Sequence, residues 1–198
     1  MQNSRKSFTT RLVLSAVLIA LATGLSNIKV YNMPLGGSVT LMSMVPVVLI
    51  SVMFGLKWGV GSAFVYSLIQ FMLGALVDGL FAWGLNWQSL IGTILLDYIV
   101  AFTVIGVAGL FRKKGAVGIV LGSCVALMCR FVSHLLSGVI IFANFEQFEL
   151  FGKAFAGNPW LYSAAYNGLY MLPEIIITAV AVGVLFNLPQ IKRLVKEA

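Results

Sequence analysis

Six stretches of this chain are almost wholly apolar and close to the length that crosses a lipid bilayer: residues 10–27, 38–56, 58–77, 89–111, 117–143 and 161–187. About 20 apolar residues in a helix span the hydrocarbon layer of roughly 30 Å. Composition agrees, with 60% hydrophobic and 10% charged residues and a mean hydropathy of +1.01, far from soluble-protein values. The expectation is an all-α membrane protein with six transmembrane helices, forming one domain over residues 1–198. Pro46 lies inside the second window, which membrane helices tolerate.

The segments between the windows read NIKVYNMPLGG, VDGLFAWGLNWQ, LFRKKGA and ANFEQFELFGKAFAGNPW. Their Gly, Pro, Asn and Trp residues mark turns and membrane interfaces. Of the 13 Lys and Arg residues, Arg5, Lys6, Arg11, Lys57, Arg112, Lys113, Lys114, Lys192, Arg193 and Lys196 fall on one side if the N-terminus is cytoplasmic. Only Lys29 and Lys153 fall on the other, and Arg130 lies inside a window. Basic residues stay in the cytoplasm, so both termini are expected there, with the three longer loops outside. The same rule accounts for the net charge of +7 without nucleic acid. The basic start, apolar run and ALA at 20–22 imitate a cleavable leader; the charge distribution requires that helix, so it is read as a retained span.

Other functions find no support in the motifs. No G-x-x-x-x-G-K-[ST] loop is present, and RKKG at 112–115 lacks its glycine spacing. HExxH and G-x-S-x-G are absent. Cys124 and Cys129 project to different helix faces, which disfavours a disulfide, and no metal-ligand cluster surrounds them. An intramembrane enzyme would need a nucleophile and base; Ser133 and Ser137 flank His134 without sitting squarely on its face. A channel would need a continuous polar stripe, which helices 1 and 2 lack.

Four ionisable residues survive within the windows: Asp97, Arg130, His134 and Glu174. A charge at the bilayer centre costs about 2.5–3.5 kcal/mol by insertion scales, so these side chains face the protein interior and find partners. One reading pairs Asp97 with Arg130 as a structural ion pair. The other builds a pocket between helices 4, 5 and 6. Arg130 and His134 are i,i+4 and share a face, continued by Gly138 and Phe142. Asn167 and Glu174 are i,i+7 on the last helix, with Tyr166 and Tyr170 beside them and Tyr162 overlapping loosely. Acids with aromatic faces suit an organic cation, and an amide with an imidazole suits a heteroaromatic ring. In the first window Ala16, Ala20 and Gly24 repeat at four-residue steps, a small-residue face for a closely approaching helix, internal or from a partner.

The stretches GGSVTLMSMVPVVLIS, LLDYIVAFTVIGVAGLFRKKG, RFVSHLLSGVIIF and YSAAYNGLY together resemble the thiamine-specific S components of energy-coupling factor transporters, the ThiT/YuaJ family. The resemblance implies a substrate-capturing subunit of a vitamin importer, not an enzyme, in the bacterial plasma membrane. Such a subunit binds thiamine from outside and docks on a transmembrane T component carrying two ATPases, which use the ATP; the chain itself needs no cofactor. It further implies that Asp97 is the substrate-site acid, Arg130 and His134 the basic pair, Phe142 the stacking ring, and Tyr162 and Asn167 its polar companions. Trp87 and Tyr66 fall on further aromatic site positions, and Ala16 and Ala20 on the docking motif. Some members carry Glu, Lys and Trp where this chain has Asp97, Arg130 and Phe142, so a thiamine precursor, an analogue or another small vitamin is the alternative ligand.

Overall fold

The computed structural model describes residues 7–33, 36–142, 149–150, 153–154 and 158–196. Arg5 and Lys6 of the basic count, and most of the outer loop FEQFELF, lie outside the described residues. The first helix, α1 (Phe8–Ser26), starts at Ser7, whose hydroxyl accepts from Thr10 N at 3.2 Å, satisfying one of the amides a helix start leaves open. A short antiparallel hairpin follows, β1 (Lys29–Asn32) against β2 (Ser38–Thr40), with Lys29 opposite Thr40 and Asn32 opposite Ser38. Then come α2 (Met44–Phe54) and α3 (Leu56–Leu76), joined through Gly55.

The fourth arm, α4, covers residues 87–114 and changes winding along its length. It opens as an α-helix (Trp87–Thr93), widens to a π-helix (Ile94–Val100), passes a short α stretch (Ala101–Thr103) and tightens to a 3₁₀ run (Val104–Lys114). The chain bends at Phe111 (φ −101°, ψ 15°) and Gly115 (φ 70°) and returns as α5 (Gly115–Ile140). A 54-residue helical run is far longer than one crossing needs; the bend makes it two arms that pack along each other. After strands β3 (Glu149–Leu150) and β4 (Lys153–Ala154) the chain forms α6 (Pro159–Leu185) and a short α7 (Pro189–Lys196) that packs on α2.

The expected architecture of six apolar helices is present, with one departure. The second window was expected to be a spanning helix over 38–56, but its first residues form β2 and a turn through Met42 (φ 59°), and α2 has only 11 residues. At about 1.5 Å per residue that is roughly 16 Å, half a bilayer. Almost every α2 residue is buried, including Val47, Val48, Ile50 and Val52, so the short helix is enclosed by the longer ones. Its end is capped by Arg112, whose Nη1 donates to the carbonyls of Val52 and Met53 at 3.1 Å each, a cation placed on unsatisfied C-terminal carbonyls. The Arg11 guanidinium lies 5.9 Å from the Phe54 ring at the same end. The basic RKK turn and the start of α1 thus share one end of the bundle. The outward faces carry Val17, Leu21, Met72, Leu121, Val132, Ile176 and Val180, as a lipid-facing surface requires.

Candidate functional site

A cleft of about 990 Å³, counting its open mouth, lies between the hairpin, α3, α4, α5 and α6. Its floor begins with the π-helical turn of α4, which carries Asp97 and Tyr98. Wide turns misalign the helix ladder and recur at functional sites. Here the Leu96 carbonyl accepts from Ser133 Oγ of α5 at 2.6 Å, which satisfies it from the neighbouring arm.

Asp97 is held from α5 by two donors. His134 Nδ1 lies 2.8 Å from Asp97 Oδ1, and Ser137 Oγ donates to Oδ2. Arg130 Nε donates to His134 Nε2 at 3.2 Å. A guanidinium only donates, so Nε2 accepts, the imidazole carries its proton on Nδ1, and that proton points at Asp97. Arg130 and Asp97 are therefore linked through His134, and among the described residues no carboxylate lies within ion-pair distance of Arg130. The direct Asp97–Arg130 pair considered from the sequence does not form. Instead the guanidinium carbon sits 4.3 Å from the centroid of Phe102, and Nη1 contacts Met44 Sδ at 3.3 Å. Arg130 is 5% exposed, whereas the Asp97 side chain keeps 19%. Both line the cavity, and Asp97 is the more open of the two.

Aromatic rings form the walls. Along α6, Tyr162, Tyr166 and Tyr170 recur every four residues with centroids 6.1 and 6.4 Å apart, and His134 extends the row at 5.8 Å from Tyr170. Opposite, Trp83 meets Phe142 edge-on at 6.4 Å. The hairpin closes one side: Tyr166 OH donates to Gly36 O at 3.0 Å, and Gly37, at φ 81°, lies so close to the Tyr170 ring that a Cβ would sit 2.6 Å from Cε1. At the mouth Lys29 of β1 pairs with Asp78.

The structure brings Asp97, Arg130, His134, Gly138, Phe142, Tyr162 and Asn167 to this cavity. Asn167 spends its groups on the bundle: Nδ2 donates to Ser163 O at 2.9 Å, and Oδ1 accepts from Tyr170 OH at 2.7 Å. At Gly138 α5 and α6 nearly touch, and a Cβ there would overlap Ser163 Oγ. Three expected residues stand elsewhere. Trp87 is 70% exposed at the start of α4. Tyr66 is buried behind Phe102, 5.7 Å ring to ring. Glu174 is fully buried, with Oε1 accepting from Thr40 N at 2.5 Å and Thr40 Oγ1 at 2.6 Å. The sequence reading missed Tyr98, Phe102, Trp83 and Ser137. Ser137 enters the sequence reading only as a poorly placed nucleophile beside His134; at i+3 from His134 it reaches the same carboxylate.

Ala16, Ala20 and Gly24 are exposed on α1, and nothing lies within 4 Å of a Cβ built at Gly24. Ala16 and Ala20 line a shallow apolar groove with Trp58, Gly61 and Val65. Among the described residues, nothing fills the groove over Ala16 and Ala20.

A family model described as thiamine transporter protein (Thia_YuaJ) matches residues 12–193. The thiamine transporter ThiT of Bacillus subtilis (strain 168) is 35% identical over 185 residues, covering 87% of this chain and 84% of the relative. A solved structure of ThiT from Listeria monocytogenes, 20% identical, shares the fold with a TM-score of 0.70 over 94% of this chain and 97% of that one. The chain belongs to the Thia_YuaJ thiamine transporter family, and is a multi-pass protein of the bacterial plasma membrane rather than an enzyme.

Proposed function

We propose that this chain is the substrate-capturing S component of an energy-coupling factor importer and that it binds thiamine in the cavity above Asp97. The observation that carries the reading is the partly exposed Asp97 carboxylate, braced by His134 and Ser137, at the foot of an aromatic-walled cleft. A permanent thiazolium charge pairs with that carboxylate, and aromatic faces favour a flat cationic ligand. The aminopyrimidine lies against Phe142 and the α6 tyrosines. The relative from Bacillus subtilis is named for thiamine transport, which supports the same ligand.

The cavity mouth, marked by Lys29 and Asp78, opens at the end of the bundle opposite the RKK turn. With the basic end in the cytoplasm, ligand enters from outside. The exposed Ala16, Ala20 and Gly24 face receives a helix of the T component, and the ATPases attached to that component drive import. The whole unit acts as one domain. The test is a titration of the purified subunit with thiamine, followed by tryptophan fluorescence. Trp83 stands on the cavity wall against Phe142, so saturable quenching at micromolar thiamine or below is expected. Absence of saturation up to millimolar thiamine would refute the reading.

A further inference from the structure

Glu174 is the one intramembrane carboxylate that does not line the cavity, and its surroundings give it a different task. It lies on α6 and is fully buried. Both of its hydrogen bonds go to one residue of the hairpin: Thr40 gives its backbone N–H at 2.5 Å and its hydroxyl at 2.6 Å, both to Oε1. The Thr40 hydroxyl has a single proton, already given to Glu174, so Ser43 Oγ, 2.6 Å away, is the donor to Thr40 Oγ1. Ser43, Thr40 and Glu174 form a directed chain running from the start of α2 to α6. Oε2 has no hydrogen-bond partner among the described residues, so every bond the carboxyl makes is spent on the end of β2.

That strand end is the root of a cavity wall. Gly36, Gly37 and Ser38 line the cleft, two to four residues before Thr40. Their position is set by Tyr166 OH on Gly36 O and by the Tyr170 ring against Gly37. Tyr166, Tyr170 and Glu174 follow one another at four-residue steps along α6, so a single helix face fixes the hairpin at three successive heights. The lowest of these contacts is the only one in which a single side-chain oxygen accepts two hydrogen bonds from the strand, one from a backbone amide and one from a hydroxyl.

The geometry points to Glu174 as a positioning residue that fixes the hairpin wall of the cavity through Thr40 and does not touch the ligand. This deepens the proposed thiamine reading and rests on it for its effect on binding, while the anchoring itself is measurable without ligand. Three variants separate the possibilities. Glu174→Met keeps the length of the side chain and removes the acceptor. Glu174→Gln keeps an oxygen able to accept both Thr40 bonds and removes the charge. Thr40→Val removes the hydroxyl and leaves the amide, and serves if Glu174→Met does not fold.

Amide hydrogen exchange is followed over the segment 36–44 in ligand-free protein, with the α5 and α6 segments as internal reference, and thiamine dissociation is timed by fluorescence. Loss of the two hydrogen bonds to Oε1, at about 1 kcal/mol each, corresponds to roughly tenfold or more in the opening equilibrium. Glu174→Met is expected to speed exchange of segment 36–44 by about that factor, with α5 and α6 unchanged, and to speed thiamine release. Thr40→Val shifts both in the same direction by less, and Glu174→Gln restores wild-type behaviour in both. Unchanged exchange in Glu174→Met would overturn the anchoring role. Loss of thiamine affinity in Glu174→Gln equal to that in Glu174→Met would also overturn it, because the charge and not the acceptor would then matter. If wild-type protein binds no thiamine, the ligand reading fails while the exchange measurement still decides the anchor.

Discussion

Replacing Asp97 by Asn isolates the charge of the cavity floor from its geometry. In the native arrangement both carboxylate oxygens accept, one from His134 Nδ1 and one from Ser137 Oγ. Asn offers one acceptor and one donor. Its oxygen must face His134, because that imidazole cannot exchange its proton to Nε2 while Arg130 Nε donates there. Its amino group then faces Ser137, whose hydroxyl rotates to accept it and directs its own proton to the carbonyl one turn back, an ordinary arrangement for a helical serine. Arg130 loses no direct partner, since its head rests on Phe102 and Met44. The fold should therefore survive, with a melting temperature within a few degrees of wild type. Thiamine affinity should not. A hydrogen bond or close pair with a charged partner contributes about 1.5–3 kcal/mol, which is roughly tenfold to 150-fold in the dissociation constant. Both quantities are measured on one preparation, by thermal unfolding and by fluorescence titration. Unchanged affinity together with a large fall in melting temperature would refute the reasoning and leave Asp97 a structural residue.

Three further outcomes are expected. Ala16→Trp or Ala20→Trp should leave thiamine binding by the isolated subunit intact and block ATP-driven uptake in the assembled importer, because an indole on this exposed face holds a partner helix away; equal loss of both activities would place the stripe inside this chain's own packing. In a background without Cys124 and Cys129, a cysteine at Lys113 should react with an impermeant thiol reagent only from the cytoplasmic side and one at the exposed Val30 only from outside, and reversed labelling would overturn the orientation. Gly138→Val should destabilise the protein by about 1–3 kcal/mol, the usual range for overpacking, because its side chain would drive α5 from Ser163 of α6; an unchanged melting temperature would contradict that contact.

What could be read in advance follows the physics that the bilayer imposes. Apolar runs mark the helices, and the cost of burying charge singles out Asp97, Arg130, His134 and Glu174 from the sequence alone. The i,i+4 step put Arg130 and His134 on one face, where they meet. Hydropathy did not tell the strand Ser38–Thr40 from the helix that follows it, because three uncharged residues run straight into an apolar stretch, and it overstated α2. It also gave no sign of the π-helical turn at Ile94–Val100, since that widening is a tertiary adjustment satisfied by Ser133 from another arm. Glu174 was recognised as an unusual buried acid, but its partner Thr40 lies 134 residues away in sequence, beyond the reach of any local pattern. Trp83 and Phe142 meet only because two distant interhelical segments converge at the mouth.

The central claim is that this cavity captures a cation by the Asp97 carboxylate, and a structure of the purified subunit with thiamine bound tests it most directly. The thiazolium ring should lie within about 4–6 Å of the Asp97 carboxylate, the span over which opposite charges act strongly, with the aminopyrimidine between Phe142 and the α6 tyrosines. Thiamine bound outside this cleft, or lying in it with its cation away from Asp97, would contradict capture by this carboxylate.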